Sequence, residues 1–336
     1  MAGPVNVLVT TGFGDALLDR IRAVSPDVRV TRARAKDADY SAVDVLYAMS
    51  VPRDPARAPR LRWIQLHMAG PDSIHDHPIY TGTDVALTTT SGVHAGTIAE
   101  YAITVLLALA HRVPRMVEWR AKGGWPPDGQ RWPLFVPTEV RGATLGLVGY
   151  GSIGRELARI AKTAFGMTVL ACKRDPSQRR DTGYCRPGTG DPEGLLPDAW
   201  FSPAQLDELL GRSDVVVMCA PLTRETRAMF DARAFAAMKR SAYFVNVGRG
   251  GSVDEAALVQ ALRDDRIAGA AIDVFAQEPP EWDHPLYALD NVIVSPHVSG
   301  FLPTYDEHCT ELFVENLRRH LAGQPLLNLV DRATGY

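Results

Sequence analysis

Arg249, Glu278 and His297 are the residues of this chain best suited to chemistry, since each follows an apolar run that reads as a β-strand. The runs are Tyr243-Phe244-Val245-Asn246-Val247-Gly248, Ile272-Asp273-Val274-Phe275 and Val292-Ile293-Val294-Ser295-Pro296. A guanidinium grips a carboxylate with two parallel hydrogen bonds. An imidazole moves a proton near neutral pH, and a carboxylate beside it favours the charged ring. Taken singly, the three have ordinary explanations as a surface charge, a glutamate before a proline turn and a loop histidine. In an open parallel sheet, however, ligands bind outside the carboxyl ends of the strands, so all three belong to one crevice. Together they suit proton transfer on a small carboxylate-bearing molecule.

The elements that must position them begin with Gly149-Tyr150-Gly151-Ser152-Ile153-Gly154. This run leaves an apolar strand, Thr144 to Val148, and opens an amphipathic helix with Ile153, Leu157, Ile160, Ala161 and Ala164 on one face. Gly166 stops that helix, and a second strand follows at Thr168–Cys172. A bare GxGxxG is weak; between a strand and a helix it is the fingerprint of a dinucleotide site. The first glycine makes the turn, the second admits a pyrophosphate, and the third lets helix and strand pack closely. The phosphates then rest at the helix N-terminus.

The composition and length suit two globular domains: 336 residues, 46% hydrophobic and 22% charged. A net charge of −3 supplies no basic field for nucleic acid. The opening lacks the basic and long apolar regions of a signal peptide, and the longest apolar stretch, Ala102 to Ala110, is far short of the ~20 residues that span a bilayer. Cys172, Cys185, Cys219 and Cys309 are scattered and read as reduced thiols in a cytoplasmic protein.

Strands expected at Val5–Thr10, Val28–Arg32, Val45–Ala48, Trp63–Leu66 and Val85–Thr89, with a helix at Asp15–Val24, predict a first parallel sheet. A long helix from Thr97 towards Val113 leads, through a Trp/Pro/Gly-rich stretch (Trp119 to Pro137), into the dinucleotide unit. Strands at Val215–Cys219, Ala242–Val247, Gly269–Val274 and Val292–Ser295 complete a second sheet. Ser252-Val253-Asp254-Glu255 has the form of a capping box. A final helix is expected near Pro303 to Leu321. Asp175 to Phe201 is longer than an ordinary βα connection and should lie near the adenosine end of a dinucleotide, as a functional loop or a surface insertion. Asp72, His75, Asp76 and His77 lack fixed ligand spacing and read as a solvated loop, so no metal is expected.

The motifs resemble those of the D-isomer-specific 2-hydroxyacid dehydrogenases. The likeness rests on Asn246-Val247-Gly248-Arg249-Gly250, Asp273-Val274-Phe275-Ala276-Gln277-Glu278-Pro279, Ser295-Pro296-His297-Val298-Ser299-Gly300, Pro221-Leu222-Thr223-Arg224-Glu225-Thr226 and Ile64-Gln65-Leu66-His67-Met68-Ala69-Gly70, in the family's order and nearly end to end. Within the family it leans to glyoxylate/hydroxypyruvate reductases and phosphoglycerate-dehydrogenase-like enzymes. The resemblance implies two α/β domains with Rossmann-like and flavodoxin-like parallel sheets and the active-site cleft between them. Residues 1–96 with 300–336 would bind substrate, and residues 97–299 the dinucleotide. It implies a catalytic Arg249, Glu278 and His297, backbone amides near Ala69 and Gly70 for the substrate carboxylate, and Asp273 for the nicotinamide amide. The cofactor would also meet Thr97, Gly149, Gly151, Ser152, Ile153, Gly154, Ala220, Pro221, Thr226, Val247, Gly248, His297 and Gly300. His94 falls near the hinge. A homodimer through the long helix and the following loop is implied, with neither nucleic acid nor membrane as partner.

One departure bears on the cofactor. Members that prefer NAD carry an Asp at the end of the second dinucleotide strand, where this chain has Lys173 and then Arg174. Basic residues there attract a 2′-phosphate, which favours NADP, while Asp175 could serve NAD through a shifted turn. The expected activity is hydride transfer between the nicotinamide and C2 of a small 2-oxo or 2-hydroxy acid. Two alternatives share the fold: a dinucleotide-sensing, corepressor-like binding protein, and a dehydrogenase of another small anion such as formate or phosphite.

Overall fold

Strand alternation and glycine placement build two parallel sheets in a computed structural model that describes residues 3–71, 74 and 77–332. The chain divides into two compact units: Met1–His94 with Thr182–Arg186 and Leu302–Tyr336, and Ala95–Asp181 with Pro187–Phe301.

In the first unit, β1 (Val5–Val9), β2 (Val28–Arg32), β3 (Val45–Ala48), β4 (Trp63–Leu66) and β5 (Ala86–Thr88) lie in the order 2-1-3-4-5, every pair parallel. A parallel sheet is covered on both faces, so its central strands are largely apolar and alternation decides which core each residue enters. Val7, Val45, Tyr47 and Trp63 pack on one side, where α1 (Asp15–Arg22) and the last helix cover them; Leu8, Leu46, Ile64 and Leu66 pack on the other. The segment Thr182–Arg186 also belongs to this unit. The Tyr184 amide donates to the Asn328 side chain at 2.8 Å, and Gly92 (φ +87°) lies so close to the Tyr184 carbonyl that a Cβ would stand 2.4 Å from it. His77 caps α2 (Pro78–Thr81); Asp72, His75 and Asp76 lie outside the described residues.

The second unit starts with α3 (Ala95–Ala110). Arg112 takes a left-handed conformation (φ +56°) after the expected helix ends, and a second helix, α4 (Val113–Lys122), follows it. The Trp/Pro/Gly-rich stretch carries a further helix, α5 (Asp128–Phe135). Then come β6 (Thr144–Val148), α6 (Ser152–Phe165), β7 (Thr168–Cys172), β8 (Ala199–Phe201), α7 (Leu206–Arg212), β9 (Val215–Met218), α8 (Ala232–Ala237), β10 (Tyr243–Asn246), α9 (Glu255–Arg263), β11 (Gly269–Ile272) and β12 (Val292–Val294). The all-parallel order is 12-11-10-9-6-7-8. Strand order reverses between β6 and β9, the switch point at which dinucleotides bind.

Two local expectations are corrected. The long segment after β7 ends in a strand: Ala199–Phe201 adds β8 to the edge of the sheet through β7. Ser252 does not cap α9, because Gly250–Ser252 forms a 3-10 turn in which the Ser252 hydroxyl donates to the Arg249 carbonyl at 2.6 Å. Asp254 caps the helix instead, accepting from the Ala257 amide at 3.1 Å. The final helix, α10 (Tyr305–Leu321), packs on α1 in the first unit. Among the described residues no single helix is long and apolar enough to cross a membrane.

Candidate active site

At the switch point, each glycine of the phosphate loop has a different steric reason to be there. Gly149 turns at φ +104°, and a Cβ on it would stand 2.6 Å from the Ala220 amide nitrogen, so β6 and β9 end in near contact. Gly154 lies 2.4 Å, by the same measure, from the Gly149 carbonyl, whereas among the described residues nothing lies within 4 Å of a Cβ on Gly151. That open space is what a pyrophosphate needs. Gly151 is also the N-cap of the fourteen-residue α6 and offers no capping side chain, leaving the first-turn amides to an anion. The site thus fits a dinucleotide. Ser152 and Ile153 stand half-buried in the first turn of α6, and Thr97 likewise in the first turn of α3.

The neighbouring strand exits are drawn together in the same way. A Cβ on Gly248 would approach the Ala220 carbonyl to 2.8 Å, and one on Gly250 would overlap the Phe275 backbone. Arg249, between these glycines, therefore leaves β10 with its backbone against both the β9 and the β11 exits. Its guanidinium is half-buried and donates to the Gly248 carbonyl at 2.9 Å. Val247 is buried beside it. The Thr226 hydroxyl donates to the Pro221 carbonyl (2.7 Å) and accepts from the Thr223 amide (2.7 Å), closing the turn after Ala220 upon itself.

Glu278 and His297 are hydrogen-bonded partners, Nδ1 to Oε2 at 2.7 Å. The other carboxylate oxygen, Oε1, accepts from the Phe275 amide at 3.0 Å, which fixes the carboxylate against its own turn. A carboxylate only accepts, so Nδ1 carries the hydrogen and Nε2 is the atom left for a reacting group. The pair is half open to solvent, at 51% and 36% side-chain exposure. Its Coulomb attraction is therefore modest, and orientation of the ring is its larger effect.

His297 adopts φ +56°, the left-handed region that β-carbon-bearing residues avoid. Asp273, 1% exposed, holds it there. Its carbonyl accepts from the His297 amide (2.9 Å), Oδ1 from the Ser295 hydroxyl (2.5 Å) and the Val298 amide (3.0 Å), and Oδ2 from the Ser299 amide (3.1 Å). Since Ser295 has given its proton to Asp273, the Tyr101 hydroxyl, 2.5 Å away, is the donor to Ser295. The two hydroxyls and the carboxylate form one chain beneath the histidine turn, which ends at Gly300. A second support is Glu255, which accepts from the Ala276 amide at 2.7 Å and meets His284 at 3.3 Å, pinning the turn that carries Glu278. Sequence pointed to Glu255 only as part of a capping box, and His284 gave no signal beyond being polar.

At the adenosine side, Lys173 follows β7 half-buried, its ammonium donating to the Gln178 carbonyl at 2.5 Å. Burial first, and the nearby Arg155 charge second, lower its pKa from the ordinary lysine value. Arg174 is exposed. Asp175 turns its carboxylate onto Ser177, accepting from amide and hydroxyl at 3.0 and 2.6 Å. In the first unit, Ala69 and Gly70 follow β4 at the carboxyl edge of its sheet, half-buried, and the preceding Met68 carbonyl accepts from the Thr90 amide. His94 stacks on Tyr305, with ring centroids 5.6 Å apart.

A family model described as the NAD binding domain of D-isomer specific 2-hydroxyacid dehydrogenases matches residues 103–299. A glyoxylate reductase of Thermococcus onnurineus is 37% identical over 298 residues, 86% of this chain and 83% of its own length. A D-isomer specific 2-hydroxyacid dehydrogenase of Xanthobacter autotrophicus, solved with NADPH and MES, superposes with a TM-score of 0.79 at 30% identity, covering all of both chains. An NADPH-dependent glyoxylate/hydroxypyruvate reductase of Sinorhizobium meliloti, solved with NADP and sulfate, gives 0.77 at 26% identity over 99% of this chain and 100% of its own. With the switch-point glycine loop and the Glu278–His297 pair, these likenesses establish that the chain belongs to the D-isomer-specific 2-hydroxyacid dehydrogenases.

Proposed function

We propose that this enzyme is a 2-oxo acid reductase that takes glyoxylate or hydroxypyruvate and prefers NADPH. The observation that carries the reading is the 2.7 Å Glu278–His297 pair, oriented so that Nε2 is the atom presented for proton transfer. The bound nicotinamide supplies or accepts the hydride at C2. In reduction, Arg249 grips the substrate carboxylate and polarises the carbonyl, and Nε2 of charged His297 releases its proton to the carbonyl oxygen. Glu278 keeps Nδ1 protonated throughout, and Asp273 holds the histidine turn. The amides at Ala69 and Gly70 are the proposed second hold on the carboxylate.

Glyoxylate reductase is the name of the relatives at 34–37% identity, and NADPH or NADP accompanies two of the superposed structures. The basic pair Lys173-Arg174 supports the same preference, with the exposed Arg174 proposed to meet a 2′-phosphate. We place the enzyme in the cytoplasm as a homodimer. Met116, Val117, Trp125 and Trp132 on and around α4 and α5 are 44–79% exposed and form the proposed subunit surface. The test is a spectrophotometric screen of NADPH and NADH against glyoxylate, hydroxypyruvate, pyruvate and bulkier 2-oxo acids. Fast NADPH oxidation by the two small acids is expected. Cofactor binding without turnover on any acid would favour a dinucleotide sensor instead.

A further inference from the structure

The phosphate loop has a weakness that the residues after β7 repair. Gly149-Tyr150-Gly151 places one side chain between two glycines, the residues with most backbone freedom to lose when a cofactor binds. That side chain, Tyr150, is 2% exposed and held on three sides. The Trp200 ring meets it edge-on at 5.0 Å, the Arg155 guanidinium lies 4.8 Å from its centroid, and its hydroxyl donates to Asp191 Oδ2 at 2.7 Å.

Asp191 and Arg155 are themselves fixed by the long segment. The Asp191 carboxylate, in a residue 7% exposed, also accepts from the Leu195 and Leu196 amides at 2.9 and 3.0 Å. Burial alone would raise its pKa, but the Tyr150 hydroxyl and these amides outweigh it and hold the carboxyl below its ordinary value. Arg155, in the first turn of α6 and 2% exposed, donates to the carbonyls of Asp191 and of Arg179 (2.7 Å) and pairs with Asp181 at 3.2 Å. Next to it, Glu156 accepts from the Gly190 amide at 2.6 Å. The Asp181 amide donates to the Pro192 carbonyl at 2.8 Å, tying the outgoing and returning chain together. A buried arginine is tolerated only with its charge met, and here the paired carboxylate and both accepting carbonyls lie in the 179–191 stretch.

We propose that residues 179–181 and 190–196, after β7, are a staple for the phosphate loop, with Asp191 and Arg155 as positioning residues that set how tightly the dinucleotide binds. It holds Tyr150, and through it the two glycines, in the cofactor-ready conformation before the cofactor arrives. Binding then orders less of the loop, which raises affinity without a new contact to the ligand. The inference rests on the dinucleotide reading of Gly149–Gly154, and it concerns the pyrophosphate that NADPH and NADH share.

The test compares wild type with Asp191→Asn and the milder Tyr150→Phe, measuring NADPH and NADH dissociation constants by calorimetry and amide hydrogen exchange of the cofactor-free protein. Both variants should weaken both dinucleotides by the same factor, about 5- to 10-fold, the scale of one lost hydrogen bond. Exchange in residues 149–155 should quicken while β7 and β9 keep their protection. A purely structural role would instead lower thermal stability and leave the dissociation constants of the folded protein unchanged. Unchanged affinity in Tyr150→Phe, with exchange at 149–155 also unchanged, overturns the staple even if Asp191→Asn does not fold. Failure of the wild type to bind either dinucleotide would overturn the cofactor reading itself.

Discussion

Asp273→Asn keeps the shape of a buried side chain and removes the property on which the histidine turn depends. The carboxylate accepts from one hydroxyl and two amides. In the variant one oxygen becomes an NH2 group. The Ser295 hydroxyl can rotate away, but a backbone amide cannot, so the Val298 or Ser299 N–H must face another donor. Ser299 is 4% exposed, and water has little access to replace the lost acceptor. An unsatisfied buried donor costs about 1–3 kcal/mol, and the surviving bonds lose their charge assistance as well. Holding a non-glycine residue such as His297 at positive φ costs about 1–3 kcal/mol, so the two quantities are comparable and the left-handed turn loses its support. A shift of roughly 1 Å in the imidazole is worth about 10² in rate. With glyoxylate and saturating NADPH, kcat should therefore fall about 10²-fold, while the NADPH dissociation constant stays within about threefold. Near-normal kcat would refute the clamp. So would an intact kcat with proportionately weaker cofactor binding, which would assign Asp273 to the nicotinamide amide.

Three further outcomes follow from the same geometry. Arg249→Lys keeps the charge but loses the planar fork, so KM for the 2-oxo acid should rise and kcat fall, by about 10-fold or more in kcat/KM; unchanged kinetics on every active substrate would mean that the carboxylate is held elsewhere. Arg174→Ala should reduce the NADPH-over-NADH preference by about 5- to 30-fold at low salt, with less effect as ionic strength rises; equal wild-type affinity for both dinucleotides would exclude the contact. Asp191 and Glu156 are carboxyls held below their ordinary values of 3.8 and 4.5, so the stability they contribute is complete above those values and is lost as pH falls through the lowered ones. Acid unfolding followed by circular dichroism should consequently be less steep below about pH 4 in Asp191→Asn than in wild type, and identical profiles would show that Asp191 carries no such linkage.

The parallel sheets and the Gly149–Gly154 loop were legible because their signals are local. Strand runs have apolar residues on both faces, and the glycines sit at fixed spacing between a strand and a helix. The Glu278–His297 pair was legible for a different reason: adjacent parallel strands bring their exits together whatever the intervening length. What sequence could not show is long-range polar pairing. Tyr101 sits at an apolar helical spacing, and nothing near it announces Ser295, 194 residues away. Asp191 looked like one charge among many in a Gly/Pro-rich loop, because its partners Tyr150 and Arg155 lie across β7. The Ser252 capping pattern misled because the 3-10 turn at Gly250–Ser252, imposed by the close approach of Gly250 to Phe275, moves the helix start to Asp254. Lys173 kept its expected position, but the Gln178 carbonyl that engages it was invisible in a linear reading.

In the proposed reaction His297, oriented by Glu278, transfers the proton at a nicotinamide site. The most direct test of this role is steady-state NADPH oxidation by glyoxylate in wild type and His297→Ala, with NADPH affinity of both measured separately. Brisk wild-type turnover is expected, with a loss of about 10²–10⁴ in kcat for the variant and nearly unchanged NADPH affinity. Turnover in His297→Ala close to that of wild type would contradict it.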